Sequence, residues 1–182
     1  MFLVKPYNRE RAVEYARRWA LERNPLFTDF TGQGGNCTNF ASQSVLAGSC
    51  VMNFTPTFGW YFVSSTDRSP SWTGVEFFYD FMISNEGVGP FMREVRRREL
   101  MPGDIIQLAD ETDDFYHTLV VTDIRGSTIF VSAHSDDALD RRLSTYNYSS
   151  LRYLHVEGVR VFYPDDTCFE PLIEGTALPM RQ

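Results

Sequence analysis

The sequence predicts an α+β fold in which helices come first along the chain and an antiparallel sheet follows. Two observations lead to this prediction. In the first half of the chain, apolar residues recur at the three- and four-residue spacing of helices. After Leu100 they form short runs bounded by turn residues, as strands do. Helices followed by a series of strands are typical of α+β architectures with an antiparallel sheet.

Composition sets the first limits on size and partners. The chain has 182 residues, 43% hydrophobic and 23% charged, which suits one domain spanning residues 1–182. Because the formal net charge is −7, nucleic acid and anionic membrane surfaces are not expected as partners. No apolar run approaches the roughly 18–20 residues of a membrane span, and no signal peptide is visible. We therefore favour a cytoplasmic location slightly over a secreted one.

Two helices are predicted before residue 50. The first begins after Asn8, a good N-cap residue, and stops at Asn24-Pro25. Its apolar face consists of Ala12, Val13, Ala16, Trp19 and Ala20. A glycine-rich loop, residues 32–36, precedes the second helix, which starts at Cys37 and is expected to stop at Gly48. Further along, Thr73 and Glu76 have the spacing of a capping box, and the charged residues 93–100 predict a solvated helix or turn.

Strands follow the turn signal Pro102-Gly103. We predict them over residues 104–108, 117–124, 127–134 and 152–162. The second and third form a predicted hairpin that turns at Arg125-Gly126. That turn places His117 and His134 opposite each other across the ladder.

The three cysteines do not indicate a disulfide framework or a zinc finger, because they are few, odd in number and irregularly spaced. Cys50 and Cys168 are expected to be small buried hydrophobic residues. Cys37 differs, because its flanks are glycine, asparagine and threonine, and because it begins a predicted helix. The N–H groups at a helix N-terminus favour a thiolate and can hold an oxyanion. Cys37 is therefore a candidate nucleophile.

A nucleophilic cysteine needs a base, and the chain has only three histidines. His117 is the candidate base, and His134 or Asp136 is the candidate for the third position that orients its imidazole. His155 lies within a strand pattern and is expected to be structural. A metal site formed by His117 and His134, with Asp136 or Cys37, is a weaker alternative because no known ligand spacing supports it.

Several segments together resemble one family, the putative amidase domain. The resemblance begins at Tyr7-Asn8-Arg9 and continues through residues 34–43, which contain Gly-Gly-Asn-Cys-Thr-Asn-Phe. It includes Pro102-Gly103-Asp104 and His117-Thr118, and it ends at His134 and its strand, so that it covers about residues 5–163 and leaves a C-terminal extension at 164–182. This family is similar to the papain-like superfamily of the NlpC/P60 and CHAP peptidoglycan hydrolases.

The resemblance implies a papain-like arrangement, with the helix that carries the nucleophile packed on an antiparallel sheet that carries the base. It implies that Cys37 is the nucleophile, His117 the base and His134 or Asp136 the third catalytic residue. Gln33, Asn36 and Thr38, which flank the cysteine, are assigned to oxyanion and substrate binding. One position departs from the family pattern, since Asn36 stands where an aspartate is usual.

The sequence therefore favours a cysteine amidase or peptidase that cleaves an amide bond through an acyl-enzyme. By analogy, the favoured substrate is a peptide of the bacterial cell wall. An acyltransferase with the same Cys-His pair and an inactive module that binds peptide or glycan are the alternatives. No cofactor is expected.

Overall fold

The computed structural model describes residues 1–182 and has the predicted helix-then-sheet order, with one short strand before the first helix. The strands are β1 (Leu3–Lys5), β2 (Gly89–Val95), β3 (Ile105–Ala109), β4 (Phe115–Arg125), β5 (Thr128–Ala133), β6 (Ala138–Arg142) and β7 (Ser150–Val161). The helices are α1 (Arg9–Trp19), α2 (Cys37–Ser49), α3 (Pro70–Thr73), α4 (Val75–Ser84) and α5 (Phe169–Glu174). None of these helices is long and apolar enough to cross a lipid bilayer.

The seven strands form one antiparallel sheet, which confirms the predicted α+β class. Their order is β1-β7-β3-β4-β5-β6, and β2 pairs with the other edge of β7, opposite β1 and β3. Strands β1 and β6 were not predicted from the sequence, and the helix or turn predicted over residues 93–100 is wrong for residues 93–95, which belong to β2. That part was misread because Arg93 and Glu94 are exposed and break the apolar pattern of a strand.

The sheet has an apolar core on each face, and α2 lies in the larger one. Ile105, Val120 and Leu154 face the helices, whereas Ile106 and Leu119 contribute to the smaller core on the other face. All 13 residues of α2 are buried, so it is enclosed on every side rather than along one stripe. The helix that begins with Cys37 is thus the most completely buried helix of the fold.

The helix ends were predicted with mixed success. Asn8 is the N-cap of α1, and its side-chain oxygen accepts a hydrogen bond from the N–H of Arg11 at 3.1 Å. Gly48 does not end α2, which continues to Ser49. Gly48 is required instead because the Tyr7 ring packs directly on its Cα, where a Cβ would clash. The predicted capping box at Thr73 is also wrong, since α4 begins at Val75 after Gly74.

The prediction that Cys50 and Cys168 are unpaired is wrong. They form a disulfide between the end of α2 and the residue before α5, 118 positions apart. The spacing gave no sign of this because the partners meet only through tertiary packing. This bond weakens the expectation of a cytoplasmic location, since disulfides persist mainly in oxidising compartments.

Candidate active site

Cys37 is held at the start of α2 by the glycine loop before it and by the β5–β6 turn. Gly34 and Gly35 have φ values of 95° and 103°, a conformation that favours glycine. The backbone N–H of Asn36 donates a hydrogen bond to Ser135 Oγ at 2.6 Å. These contacts fix the position of the thiol, of which only a small part is accessible.

The accessible part of the Cys37 thiol faces a cavity of about 370 Å³ that His117 also lines. The predicted nucleophile and the predicted base therefore meet at one surface, although they lie 80 residues apart in the chain. The other lining residues come from the glycine loop, from the neighbouring strand position, from the β5–β6 turn and from the segment before β7; they are Gly34, Gly35, Tyr116, Ser135, Asp136 and Tyr146.

The His117 imidazole is buried but makes no hydrogen bond with another residue. The ring centroids of Tyr116 and Tyr146 lie 6.3 and 5.9 Å from its own. Burial lowers the pKa of His117 to about 4, although the nearby Asp136 carboxylate acts in the opposite direction. At neutral pH the imidazole is therefore unprotonated and able to accept a proton.

Burial has the complementary effect on the thiol. It raises the pKa of Cys37, while the backbone N–H of Thr118 and the Thr38 side chain act to lower it. No hydrogen bond joins the sulfur to His117; the side-chain hydrogen-bond partner of the sulfur is Thr38 Oγ1 at 3.9 Å. The resting site therefore holds a thiol beside a neutral imidazole rather than an ion pair.

The predicted juxtaposition of His117 and His134 is wrong. The hairpin turns one residue later than predicted, and a β-bulge within β4 shifts the pairing again, so that Val120 pairs with Ser132. β5 also ends at Ala133, so His134 lies in the β5–β6 turn and has no ladder partner in β4.

His134 contacts α1 and α2 instead. Its Nε2 lies 2.8 Å from the backbone oxygen of Trp19, which can only accept, so Nε2 carries the hydrogen. Its Nδ1 then accepts a hydrogen bond from the Asn36 side-chain amide at 2.7 Å. The ring also stacks on Phe40 at 4.2 Å. His134 therefore supports the N-terminus of α2 and has no contact through which it can orient His117.

The hydrogen bonds of the Asn36 side chain explain why an amide fits at position 36. Its oxygen accepts hydrogen bonds from the backbone N–H of Phe30 at 3.0 Å and from Asn39 at 2.8 Å, which fixes its nitrogen toward His134. Burial lowers the pKa of His134, so the histidine is neutral and needs a donor at Nδ1. Asn36 supplies that donor, and it is a structural residue at the start of α2 rather than a lining residue of the cavity.

A carboxylate at position 36 is expected to protonate His134. In Asn36→Asp the new oxygen would face Nδ1 and favour the imidazolium, so the pKa of His134 is expected to rise by about 1–3 units. NMR titration of the histidine ring protons measures this change. Gln33→Glu is the matched control, because it adds the same charge on the exposed glycine loop. An unchanged His134 titration in Asn36→Asp would contradict the pairing.

The other predicted site residues have different positions. Asp136 lines the cavity in a left-handed conformation, with φ at 82°, and its exposed carboxylate pairs with Arg141 at 3.2 Å. Of the two candidates for the third position, it is the one near His117. Gln33 is exposed and does not line the cavity, and the buried Thr38 hydroxyl faces Thr118 at 2.8 Å. Neither side chain is placed to hold substrate.

Two residues of the site were not found from the sequence. Ser135 Oγ accepts the hydrogen bond from the backbone N–H of Asn36. Its position directly after His134 is the one sequence feature that could have indicated this residue. The Tyr146 hydroxyl is buried without a hydrogen-bond partner, and its ring lies beside His117 and under the Arg141 guanidinium. No local pattern marks Tyr146, because it reaches the cavity only through the folding of the segment before β7.

Features outside this cavity carry less chemistry. A larger groove of about 780 Å³ follows the exposed face of α1, but its lining contains no cysteine, histidine or serine. His155 is structural, as predicted, since its Nδ1 pairs with the buried Asp104 carboxylate at 2.8 Å. No group of three or more His, Cys, Asp and Glu side chains is arranged to hold a metal ion.

Fold and site together define an α+β protein that presents a thiol and an imidazole to one cavity. The model of the family described as putative amidase domain matches residues 6–156, and the chain belongs to that family. Its description indicates the hydrolysis of amides. The uncharacterized protein YhbB of Bacillus subtilis (strain 168) is 35% identical over 174 residues, which are 92% of this chain and 48% of that protein. The chain thus spans about half the length of this relative. No solved structure matches the chain, so the papain-like arrangement stays a prediction.

Proposed function

We propose that the protein is a cysteine amidase or peptidase. The observation that carries the proposal is that Cys37, at the N-terminus of α2, and His117, in β4, open into the same cavity. A nucleophile and an unprotonated base at one cavity are the minimum that covalent amide cleavage needs. The family's description supports the reaction type, and it leaves the mechanism to be tested.

In the proposed reaction, His117 takes the proton of the Cys37 thiol as the sulfur attacks the amide carbonyl. The C–S bond forms and the carbonyl becomes an oxyanion. The protonated His117 then donates its proton to the leaving nitrogen, the C–N bond breaks and a thioester remains on Cys37. Water, deprotonated by His117, cleaves the thioester and restores the thiol. Because the resting pair is neutral, the proton moves during the attack rather than before it.

Backbone groups at the start of α2 are the proposed oxyanion donors. The first N–H groups of a helix have no acceptor within the helix, and they carry positive potential. In α2 these groups belong to Cys37 and its successor Thr38, next to the attacking sulfur. They replace the role that the sequence analysis assigned to the Gln33 side chain, which lies outside the cavity.

The proposed substrate is a peptide, and a cell-wall peptide is the favoured class by analogy. A cavity of about 370 Å³ is at the lower end of the size range of ligand sites, which suits the scissile amide and one neighbouring side chain. The absence of side chains at Gly34 and Gly35 leaves one wall of the cavity open for an extended chain.

The proposal is tested by trapping the acyl-enzyme. Wild-type protein and Cys37→Ala are incubated with synthetic cell-wall peptides and a panel of peptide anilides. The reactions are quenched with acid, and the masses of the proteins are measured by mass spectrometry. We expect an adduct on Cys37 and a released amine in the wild type only. Binding without cleavage in both proteins would contradict the proposal in favour of a binding module. Formation of a new amide whenever an amine is added, without hydrolysis, would contradict it in favour of an acyltransferase.

A further inference from the structure

A chain of buried polar side chains leads from Cys37 through the sheet to Arg152. The Arg152 Nε donates to Gln107 Oε1 at 2.8 Å, and Gln107 Nε2 donates to Thr118 Oγ1 at 3.2 Å. Thr118 Oγ1 lies 2.8 Å from Thr38 Oγ1, which in turn lies 3.9 Å from the Cys37 sulfur. Four residues from β7, β3, β4 and α2 thus connect a guanidinium to the candidate nucleophile.

The first two hydrogen bonds of this network have a fixed direction, toward the sulfur. Arginine can only donate, so the Gln107 oxygen faces Arg152. The Gln107 nitrogen also donates to the backbone oxygen of Val75 at 2.9 Å, which fixes the amide from its other end. Thr118 therefore accepts from Gln107, and its own proton is available to Thr38, its other hydrogen-bond partner. With that bond made, the Thr38 proton is available to the Cys37 sulfur.

Burial enforces this direction. The side chains of Gln107, Thr118 and Thr38 are almost completely excluded from solvent, so no water can take the place of a lost partner. If Thr38 donated to Thr118 instead, the Thr118 oxygen would accept twice, and its own proton would have no acceptor among its hydrogen-bond partners. In a buried network an unpaired donor is strongly disfavoured.

The end of the hydrogen-bond network that is farthest from the sulfur is the positively charged guanidinium of Arg152, which its neighbours hold in place. The Arg152 guanidinium lies 3.6 Å from the Tyr79 ring centroid and 3.7 Å from that of Phe115, and it pairs with Glu76 at 3.2 Å. The rings prevent it from turning away from Gln107. A fixed cation at the first donor strengthens each later hydrogen bond toward the sulfur.

We propose that Arg152, Gln107, Thr118 and Thr38 form a one-way hydrogen-bond relay that directs the Thr38 hydroxyl at the Cys37 sulfur and stabilises the thiolate. Arg152, Gln107 and Thr118 are positioning residues, since of the four only Thr38 contacts the reacting sulfur through its side chain. The inference deepens the proposed amidase function and rests on it, because a thiolate donor serves a sulfur that attacks and leaves during catalysis. It also explains why Thr38 is buried rather than open to substrate.

The relay is separate from the titratable groups around the thiol. Those groups are His117 and Tyr116 on β4, Asp136 on the β5–β6 turn and Tyr146 before β7. None of them hydrogen bonds to a relay residue. A change in the relay therefore tests the Thr38 donor without removing the base.

The test measures the thiol pKa of Cys37 from the pH dependence of iodoacetamide alkylation. Cys37 is the one free cysteine, because Cys50 and Cys168 form the disulfide, so alkylation reports on Cys37 alone. Thr38→Val, which keeps the shape and removes the hydroxyl, is expected to raise the thiol pKa by about one unit, or tenfold in thiolate fraction. Thr38→Ser is the matched control and should restore the wild-type value. Equal thiol pKa values in wild type and Thr38→Val would overturn the proposal.

A double-mutant cycle tests the direction of the relay. The carboxylate in Gln107→Glu accepts from both neighbours, so it should turn the Thr118 and Thr38 protons away from the sulfur and raise the thiol pKa. In the Thr38→Val background the same change should have no further effect. An equal rise in both backgrounds would mean a direct effect of the new charge and would overturn the relay.

Two further measurements keep the result interpretable. If Gln107→Glu does not fold, as judged by thermal unfolding, Thr118→Val replaces it in the cycle with the same expected outcome. Failure of the amidase proposal appears separately, as absent peptide cleavage in a wild-type protein. In that case the alkylation pattern of the variants still decides whether the relay exists.

Discussion

Exchanging His117 for glutamine is expected to lower kcat/KM for an amide substrate by about 10³-fold, because the attacking thiol loses its proton acceptor and the leaving nitrogen its proton donor. Glutamine fills a similar volume and cannot take up a proton near neutral pH. Steady-state kinetics on the peptide identified by acyl-enzyme trapping measures the effect. A loss of less than about tenfold would contradict the role of His117 as the base.

The pH dependence supplies a second readout of the same residue. Since burial lowers the pKa of His117 to about 4, the base stays unprotonated well below neutrality. The wild-type kcat/KM is therefore expected to fall only as the pH approaches about 4, rather than near the ordinary histidine value of about 6.5. His155→Gln is the control, because His155 lies outside the cavity and its loss should leave the acid limb in place. An acid limb near 6.5 would contradict a buried, neutral base.

The same pKa shift links His117 to stability in acid. The folded-state pKa lies below that of the unfolded chain, so between about 6.5 and 4 the unfolded chain binds a proton that the folded protein does not. The contribution of His117 to the free energy of unfolding is therefore complete above this range and is lost as the pH falls through it, by up to about 3 kcal/mol. His117→Gln should remove this part of the acid sensitivity, and the part due to the buried His134 should remain.

Local signals in the sequence were sufficient to select Cys37 and His117, which the structure brings to one cavity. Cys37 stands between a glycine loop and a helix with polar neighbours, and these features depend only on adjacent residues. His117 followed because the chain has three histidines and one of them opens a strand. The fold class followed for the same reason, since helical spacing and strand-like runs are local properties.

The features that were predicted wrongly or not at all depend on residues far apart in the chain. The role given to His134 required a register that one later turn and one β-bulge changed, and neither is marked by sequence. The partners of Arg152 and Tyr146 come from strands and loops that meet only in the folded chain. Gly48 was predicted to end α2 because glycine often follows helices. In the structure it lies within α2, where it allows the close approach of the Tyr7 ring.

The Cys50–Cys168 disulfide is the clearest case of a tertiary feature, and its removal is the largest stability effect we expect. The bond closes a loop of 118 residues, which in the chain-entropy model stabilises the folded state by about 5 kcal/mol. The double variant Cys50→Ala/Cys168→Ala should therefore unfold about 10–20 °C below the wild type. Thermal unfolding by calorimetry measures the difference.

The structure also indicates what the loss of the disulfide should leave intact. α5 keeps its other contacts with the first half of the chain, since Asn24 donates to the Leu172 backbone oxygen at 2.9 Å and the Trp19 indole donates to that of Ile173 at 3.1 Å. The start of α2 lies at the opposite end of the helix from Cys50. The alkylation rate of Cys37 should therefore change little at temperatures where the double variant is folded.

Reduction of the wild type supplies the matching control for the disulfide. A reducing agent should lower its unfolding temperature to that of the double variant and should leave the double variant itself unchanged. Cys37→Ala should respond to the agent as the wild type does, because Cys37 takes no part in the bond. If the reduced wild type unfolds within about 2 °C of the oxidised protein, the bond contributes less than about 1 kcal/mol. In that case the packing of Phe169 and Leu172 in the core, rather than the closed loop, holds α5 in place.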